Sequence, residues 1–225
     1  MQGEIIHRGV EHVLGMTFNM ETLYMTWLAM AITLVIAYLA VRSLTLVPRG
    51  WQNAIEIVIE GLHAQMQGTM GKGGQFLAPF IISLFLFLLV SNYLGLIPTF
   101  ASPTNDLNTT LGLALLVIVM VHVLGVYKKG SHYIKHFFQP TPIFVIINAI
   151  EEIAKPITLS FRLFGNILAG EILIIILLKL MPIWMPIPSV IWLAFSLFIG
   201  AVQAFIFTML SMAYLANAVK EDEHE

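Results

Sequence analysis

Between Thr141 and Met181 the chain offers no clear turn, and 41 residues of continuous helix would run about 60 Å against a bilayer hydrocarbon core of about 30 Å. Such a helix cannot stand upright in a membrane. It bends at Pro156, or lies far flatter than the usual tilt of about 20°, or begins in the interface. Pro182, Pro186 and Pro188 then form a turn, and Ile187 to Ala218 makes a second overlong helix of about 48 Å. Two long slanted helices joined this way form an antiparallel hairpin, and the other elements have to pack around it.

The rest of the chain has the same solvent in view. With 58% hydrophobic residues, 11% charged and a mean hydropathy of +0.87, it is too apolar for an ordinary soluble domain. Thr22–Val41, Phe76–Ile97 and Thr109–Tyr127 are further runs of spanning length. Trp51 to Met70 differs, because Trp51, Ile55, Val58, Ile59, Leu62 and Met66 recur at helical spacing with Gln52, Glu56, Glu60, His63 and Gln67 between them. That pattern describes an amphipathic interfacial helix, with Glu56 and Glu60 facing water. The expected fold is therefore an all-α polytopic membrane protein with five transmembrane helices plus the amphipathic helix, the last two helices long and strongly tilted. Arg42, Arg49, Lys128, Lys129 and Lys135 mark one side as cytoplasmic, which puts the N-terminus outside and the C-terminus inside.

The breaks divide the chain into an external N-terminal segment (1–21), a first transmembrane helix (22–46), a cytoplasmic-side amphipathic helix and loop (47–74), a two-helix transmembrane hairpin with a basic loop (75–140), the long hairpin (141–219) and an acidic tail (220–225). The first segment lacks the basic start and apolar core of a secretory signal and is expected to stay in the mature chain. His7 and His12 read as solvated histidines. Gly68–Gly74 lacks the spacing of a phosphate loop and reads as a flexible connection, and Asn108-Thr109-Thr110 abuts a span and reads as a chance glycosylation sequon. A net charge of −2 argues against nucleic acid as a partner. The absence of cysteine excludes thiolate catalysis and cysteine metal sites.

Inside the first long helix stand Arg162 and Glu171. A charge near a bilayer centre costs roughly 2.5–3.5 kcal/mol on insertion scales, so such groups face a water-filled or protein-lined path. Arginine keeps its proton under protein conditions, whereas a carboxyl can exchange one. Nine positions put the two on nearly opposite faces, about 13.5 Å apart along the axis, so they do not simply pair. Asn166 lies one turn after Arg162 on the same face, and Gly165, Ala169 and Gly170 leave room for a close approach, which helix packing alone would also use. In the second long helix Ser196, Gly200 and Gln203 share a face continued by Phe207 and Ser211. If Gln203 is level with Arg162, Ser196 and Glu171 both lie on its external side. Toward the cytoplasm, Glu151 and Glu152 precede Lys155; Glu151 shares the Arg162 face and also suits an ordinary i,i+4 pair with Lys155.

The run Leu159-Ser160-Phe161-Arg162-Leu163-Phe164-Gly165-Asn166 with Ala169-Gly170-Glu171 resembles the signature of subunit a of the bacterial F-type ATP synthase. Val202-Gln203-Ala204-Phe205-Ile206-Phe207 with Tyr214-Leu215 resembles that family's last helix. Looser similarity runs from about Phe76 to the C-terminus, and the first 70 residues resemble it mainly in layout. The resemblance implies a stator with two offset half-channels for protons, facing a rotating proteolipid c-ring around which the long hairpin wraps. It implies Arg162 as the barrier to ion short circuit and Glu171, Gln203, Asn166, Ser196, Glu151 and Glu152 as the ion pathway. A histidine found near Ser196 in some relatives has no counterpart here. Implied partners are the c-ring, the peripheral stalk subunit b, the remaining ATP synthase and the lipid of a bacterial plasma membrane. No cofactor, metal or ATP site is expected in this chain, and H⁺ rather than Na⁺ is the prior for the coupling ion. An independent ion channel or secondary transporter is the rival; such transporters usually show internal repeats and broken helices.

Overall fold

A computed structural model describes residues 10–13, 16–42, 50–97, 100, 102–130, 133, 144–180 and 187–219. A short antiparallel hairpin, β1 (Val10–Val13) with β2 (Met16–Asn19), leads into α1 (Met20–Val41). Then come α2 (Trp51–Met70), a 3-10 turn at Lys72–Leu77, α3 (Ala78–Leu94), a second 3-10 turn at Pro103–Asn105, α4 (Leu107–Lys129), α5 (Phe144–Leu180) and α6 (Ile187–Val219). Among the described residues five helical segments have the length and apolarity to cross a membrane, and the fold is that of a multi-pass helical membrane protein. The hairpin is an addition to the all-α expectation, confined to the N-terminal segment. His7 and the Pro182 and Pro186 turn lie outside the described residues.

Helix ends follow their local chemistry. Gly71 and Gly130, at φ +65° and +57°, adopt positive-φ conformations open to glycine at the ends of α2 and α4, and their N–H groups bond Gln67 O and Val126 O. The glycine-rich stretch after α2 is thus helical on both sides of Gly71 rather than a simple flexible connection. Asp106 caps α4 by accepting the Asn108 N–H at 2.9 Å, and Lys128 and Lys129 fill its last turn, so charge complements the dipole at both ends. Thr110 is buried inside α4, which removes the sequon from consideration.

The long helix predicted over Thr141–Met181 is described as α5 over 37 residues, unbroken at Pro156. At 1.5 Å per residue α5 and α6 run about 55 and 50 Å, so both are steeply inclined to the normal of a core about 30 Å thick. Their contacts fix the direction. Asn166 meets Gln203, whereas the later Gly170 meets the earlier Trp192, whose Nε1 donates to Gly170 O at 3.2 Å. The pair is antiparallel.

One apolar core joins these elements: Leu62 and Met66 of α2, Ile81 and Leu88 of α3, Val117 of α4, Leu159 and Leu163 of α5, and Phe207 and Leu215 of α6. The opposite faces of α5 and α6 expose Ile150, Phe161, Ile175, Ile191, Phe198 and Phe205, suited to lipid or to an apolar partner. Between the ends of α3 and α4 the chain turns inward, burying Ser102, Pro103, Thr104 and Asn105. Gly95 permits this, since a Cβ there would stand 2.4 Å from Ser102 Cβ. Gly95→Ala is therefore expected to lower stability by about 1–3 kcal/mol, the usual range for overpacking, read as a lower melting temperature in detergent.

Candidate functional site

α5 turns Leu159, Ser160 and Leu163 inward, at 1%, 0% and 0% exposure, and this presents Phe161 and Arg162 on its outer surface. Ser160 Oγ is tied to Thr110 Oγ1 of α4 at 3.0 Å, which fixes the rotation of α5 at this level. Arg162 makes no hydrogen bond or ion pair with the described residues. A fixed cation thus stands exposed on an apolar helix face within a spanning segment, an arrangement that calls for a counter-charge or water from outside the chain.

One turn further on, Asn166 Nδ2 donates to Gln203 Oε1 at 2.7 Å. Gln203 is 2% exposed, and its Nε2 has no hydrogen bond among the described residues. The antiparallel register sets Gln203 opposite Asn166, so the amide holds the two long helices together one turn beyond the arginine. Ser211 Oγ, which the face pattern aligns with Gln203, bonds Phe207 O of its own helix.

Beyond Asn166 a cavity of about 270 Å³ opens between α3, α5 and α6, lined by Asn92, Asn166, Gly170, Glu171, Trp192 and Ser196 among others. Ser196 and Glu171 both line this cavity. Glu171 accepts a hydrogen bond from Asn105 Nδ2. The inward turn that carries Asn105 is itself anchored: Ser102 Oγ bonds Ser91 O at 3.0 Å and Thr104 Oγ1 at 2.7 Å, Thr104 Oγ1 donates to Asn92 Oδ1 at 2.9 Å, and Asn92 Nδ2 donates to Gly200 O at 2.9 Å. Asn92, Thr104 and Asn105 are the residues that sequence reasoning passes over. For Thr104 and Asn105 the signal is the polar Ser-Pro-Thr-Asn run between two spans, which reads as a solvated loop and is buried; for Asn92 it is a lone amide inside an apolar span.

The other side of Arg162 holds Glu151 and Glu152. Ten residues before the arginine, Glu152 is about 15 Å back along the axis, opposite in direction to Glu171. Lys155 Nζ pairs with Glu152 at 2.6 Å and with Glu151 at 3.4 Å. The surface pair expected at i,i+4 therefore exists, while the shorter contact goes to the less exposed Glu152, at 22% against 65%. α5 thus carries polar clusters to either side of a lone cation.

The family described as ATP synthase A chain matches residues 23–216 of this chain. A protein of Desulforamulus reducens named ATP synthase subunit a is 45% identical over 222 residues, covering 95% of this chain and 85% of the relative. One of Syntrophotalea carbinolica named ATP synthase subunit a 2 is 42% identical over 200 residues, 87% and 84% of the two chains. A third, ATP synthase subunit a of Moorella thermoacetica, is 37% identical over 217 residues and covers 96% and 95%.

Because the chain lacks cysteine, a single introduced thiol reports on local water. Ser196→Cys, in the cavity, is expected to react with a small charged thiol reagent roughly tenfold or more faster than Leu163→Cys in the core, since only a hydrated thiol ionises readily. Equal rates measured by mass spectrometry would mean a dry cavity.

Proposed function

The chain belongs to the ATP synthase A chain family, and on that premise we propose that it is the stator subunit a of an F-type ATP synthase. It provides two offset half-channels for protons and faces a rotating ring of proteolipid carboxyls. The single observation that carries this reading is Arg162, a cation without a partner among the described residues, on an exposed apolar face and set between two polar clusters.

Protons enter from the external side through the cavity at Ser196 and Glu171, where Asn105 orients the carboxyl. They pass to a ring carboxylate, travel with the ring through lipid, and leave on the basic side past Glu152 and Glu151. Arg162 keeps the two paths apart. A guanidinium about 4 Å from a carboxylate at an effective dielectric near 20 contributes about 4 kcal/mol to the ionised form, roughly a thousandfold bias. Each ring carboxyl therefore gives up its proton on arriving, and the driving force is about 2.3 kcal/mol per charge per 100 mV.

The Asn166–Gln203 bond gives this barrier a rigid floor, for it locks α5 to α6 one turn from the cation. Ring and peripheral stalk subunit b are the partners, the bacterial plasma membrane is the location, and the N-terminus lies outside with the C-terminus in the cytoplasm. The coupling ion is the proton.

Arg162→Ala is expected to abolish proton-coupled ATP synthesis in reconstituted vesicles while the complex still assembles, and Arg162→Lys to fail largely, because an ammonium lacks the planar fork and can lose its proton on burial. Synthesis at the unsubstituted rate would remove Arg162 from the mechanism. Gln203→Leu removes the hydrogen bond to Asn166, a loss of about 0.5–1.5 kcal/mol, and is expected to weaken coupling less than Arg162→Ala. Glu171→Gln is expected to slow passive proton uptake and synthesis together, with Glu171→Asp and Glu171→His retaining more of both; normal uptake in the Gln variant would exclude Glu171 from the path.

A further inference from the structure

On the basic side of Arg162 the fold gathers titratable groups from three separate parts of the chain. His122, on α4, has Nδ1 2.8 Å from Tyr133 Oη and Nε2 3.5 Å from Glu152 Oε2. The other Glu152 oxygen, Oε1, accepts from Lys155 Nζ at 2.6 Å; the ammonium also meets Glu151 and lies over the Tyr214 ring of α6, 5.8 Å from its centroid. Glu152 Oε2 is buried without a hydrogen bond among the described residues, so the imidazole is the group it faces. The His122 side chain is 36% exposed and that of Glu152 22%. The ring is thus more open than the carboxyl it faces, and it lies six residues before Lys128 near the basic end of α4.

The local sequence builds this contact. A Cβ at the buried Gly125, one turn after His122, would stand 2.5 Å from Tyr133 Cε2, so the absence of a side chain there lets the tyrosine ring lie against α4 with its hydroxyl on the imidazole. Burial, assisted by Glu152 and opposed by Lys155, pushes the Tyr133 hydroxyl above the ordinary phenol range, and it stays neutral. A neutral hydroxyl donates to a bare ring nitrogen and accepts from a protonated one. The imidazole can therefore change charge with its neighbour still bonded.

We propose that His122 relays protons between Glu152 and water on the basic side of the membrane. As the Glu152 O–H bond breaks, the Nε2 lone pair takes the proton; the imidazolium then gives that proton from Nε2 to a water molecule and returns to neutral, with Nδ1–H still held by Tyr133 Oη. The reverse sequence loads Glu152 during pumping. The relay rests on the assignment of Glu152 to the inner half-channel of the stator. It also suits the chemistry, since imidazole is the side chain whose unperturbed charge changes between about pH 5 and 8.

The test is ATP hydrolysis by the whole complex in lipid nanodiscs, where turnover requires ring rotation and no gradient forms. His122→Ala and His122→Gln are expected to lower turnover about tenfold, somewhat less than the 10²–10⁴ typical of a positioned proton-transfer group, because water also reaches this site. Added imidazole should restore the Ala variant and leave the Gln variant slow, since glutamine fills the space. Unchanged turnover in both variants, or a loss in the Ala variant that imidazole does not restore, overturns the relay and leaves His122 a packing residue. Glu152→Gln in the same preparation separates the two levels. If it slows turnover while His122→Ala does not, the relay alone fails; if it has no effect, the inner half-channel assignment fails and the relay with it.

Discussion

The structure depends on the positive charge of Arg162. Arg162 cannot shed its proton, and its exposed position on an apolar face gives it no neutralising group among the described residues. Such a charge is tolerable in a membrane only where another molecule or water meets it. Everything close to it serves placement. Leu159 and Leu163 bury the inner face of the same turns, Ser160 ties α5 to Thr110, and Asn166 ties it to Gln203. The arginine is thereby fixed on a rigid helix pair without being consumed by an internal contact.

Helix length supplies the second constraint. Because α5 and α6 are too long to stand upright, they cross the bilayer obliquely, and groups separated along the axis are also displaced sideways. Glu171 and Glu152 therefore lie apart in two dimensions on either side of the arginine. On the proposed reading, this inclination is enough to offset the two half-channels without a broken helix. The cavity at Glu171 owes its walls to small groups, notably Gly170 and Ser196, and to an inward turn whose Ser102 and Thr104 hydroxyls bond Ser91 O and Asn92 Oδ1.

Much of this is legible in the sequence, for physical reasons. Apolar runs and prolines reveal the spans and the long hairpin, because a bilayer demands continuous helices of set length. A lone arginine and a glutamate within such a run announce themselves by their cost. What stays hidden is register and long-range contact. Face patterns on α6 do not reveal that Gln203 meets Asn166, since that depends on how far two helices slide past one another. The Ser102–Asn105 turn has the polarity of a solvated loop, yet its hydroxyls and amides find partners in α3 and α5. His122, Tyr133 and Glu152 come together only through the packing of α4 on α5, and the small N-terminal hairpin pairs residues with no strong strand pattern.

The central claim is that the outer face around Arg162 meets the ring. Site-directed cross-linking examines it directly, with one cysteine in this chain and one beside the carboxyl of the proteolipid. Phe161→Cys, 54% exposed next to the arginine, should form a disulfide with the ring under mild oxidation, whereas Leu163→Cys, fully buried toward α4 and α6, should form none. Cross-linking confined to Phe161→Cys is the predicted result. Its absence there, in a complex that assembles normally, would contradict the account.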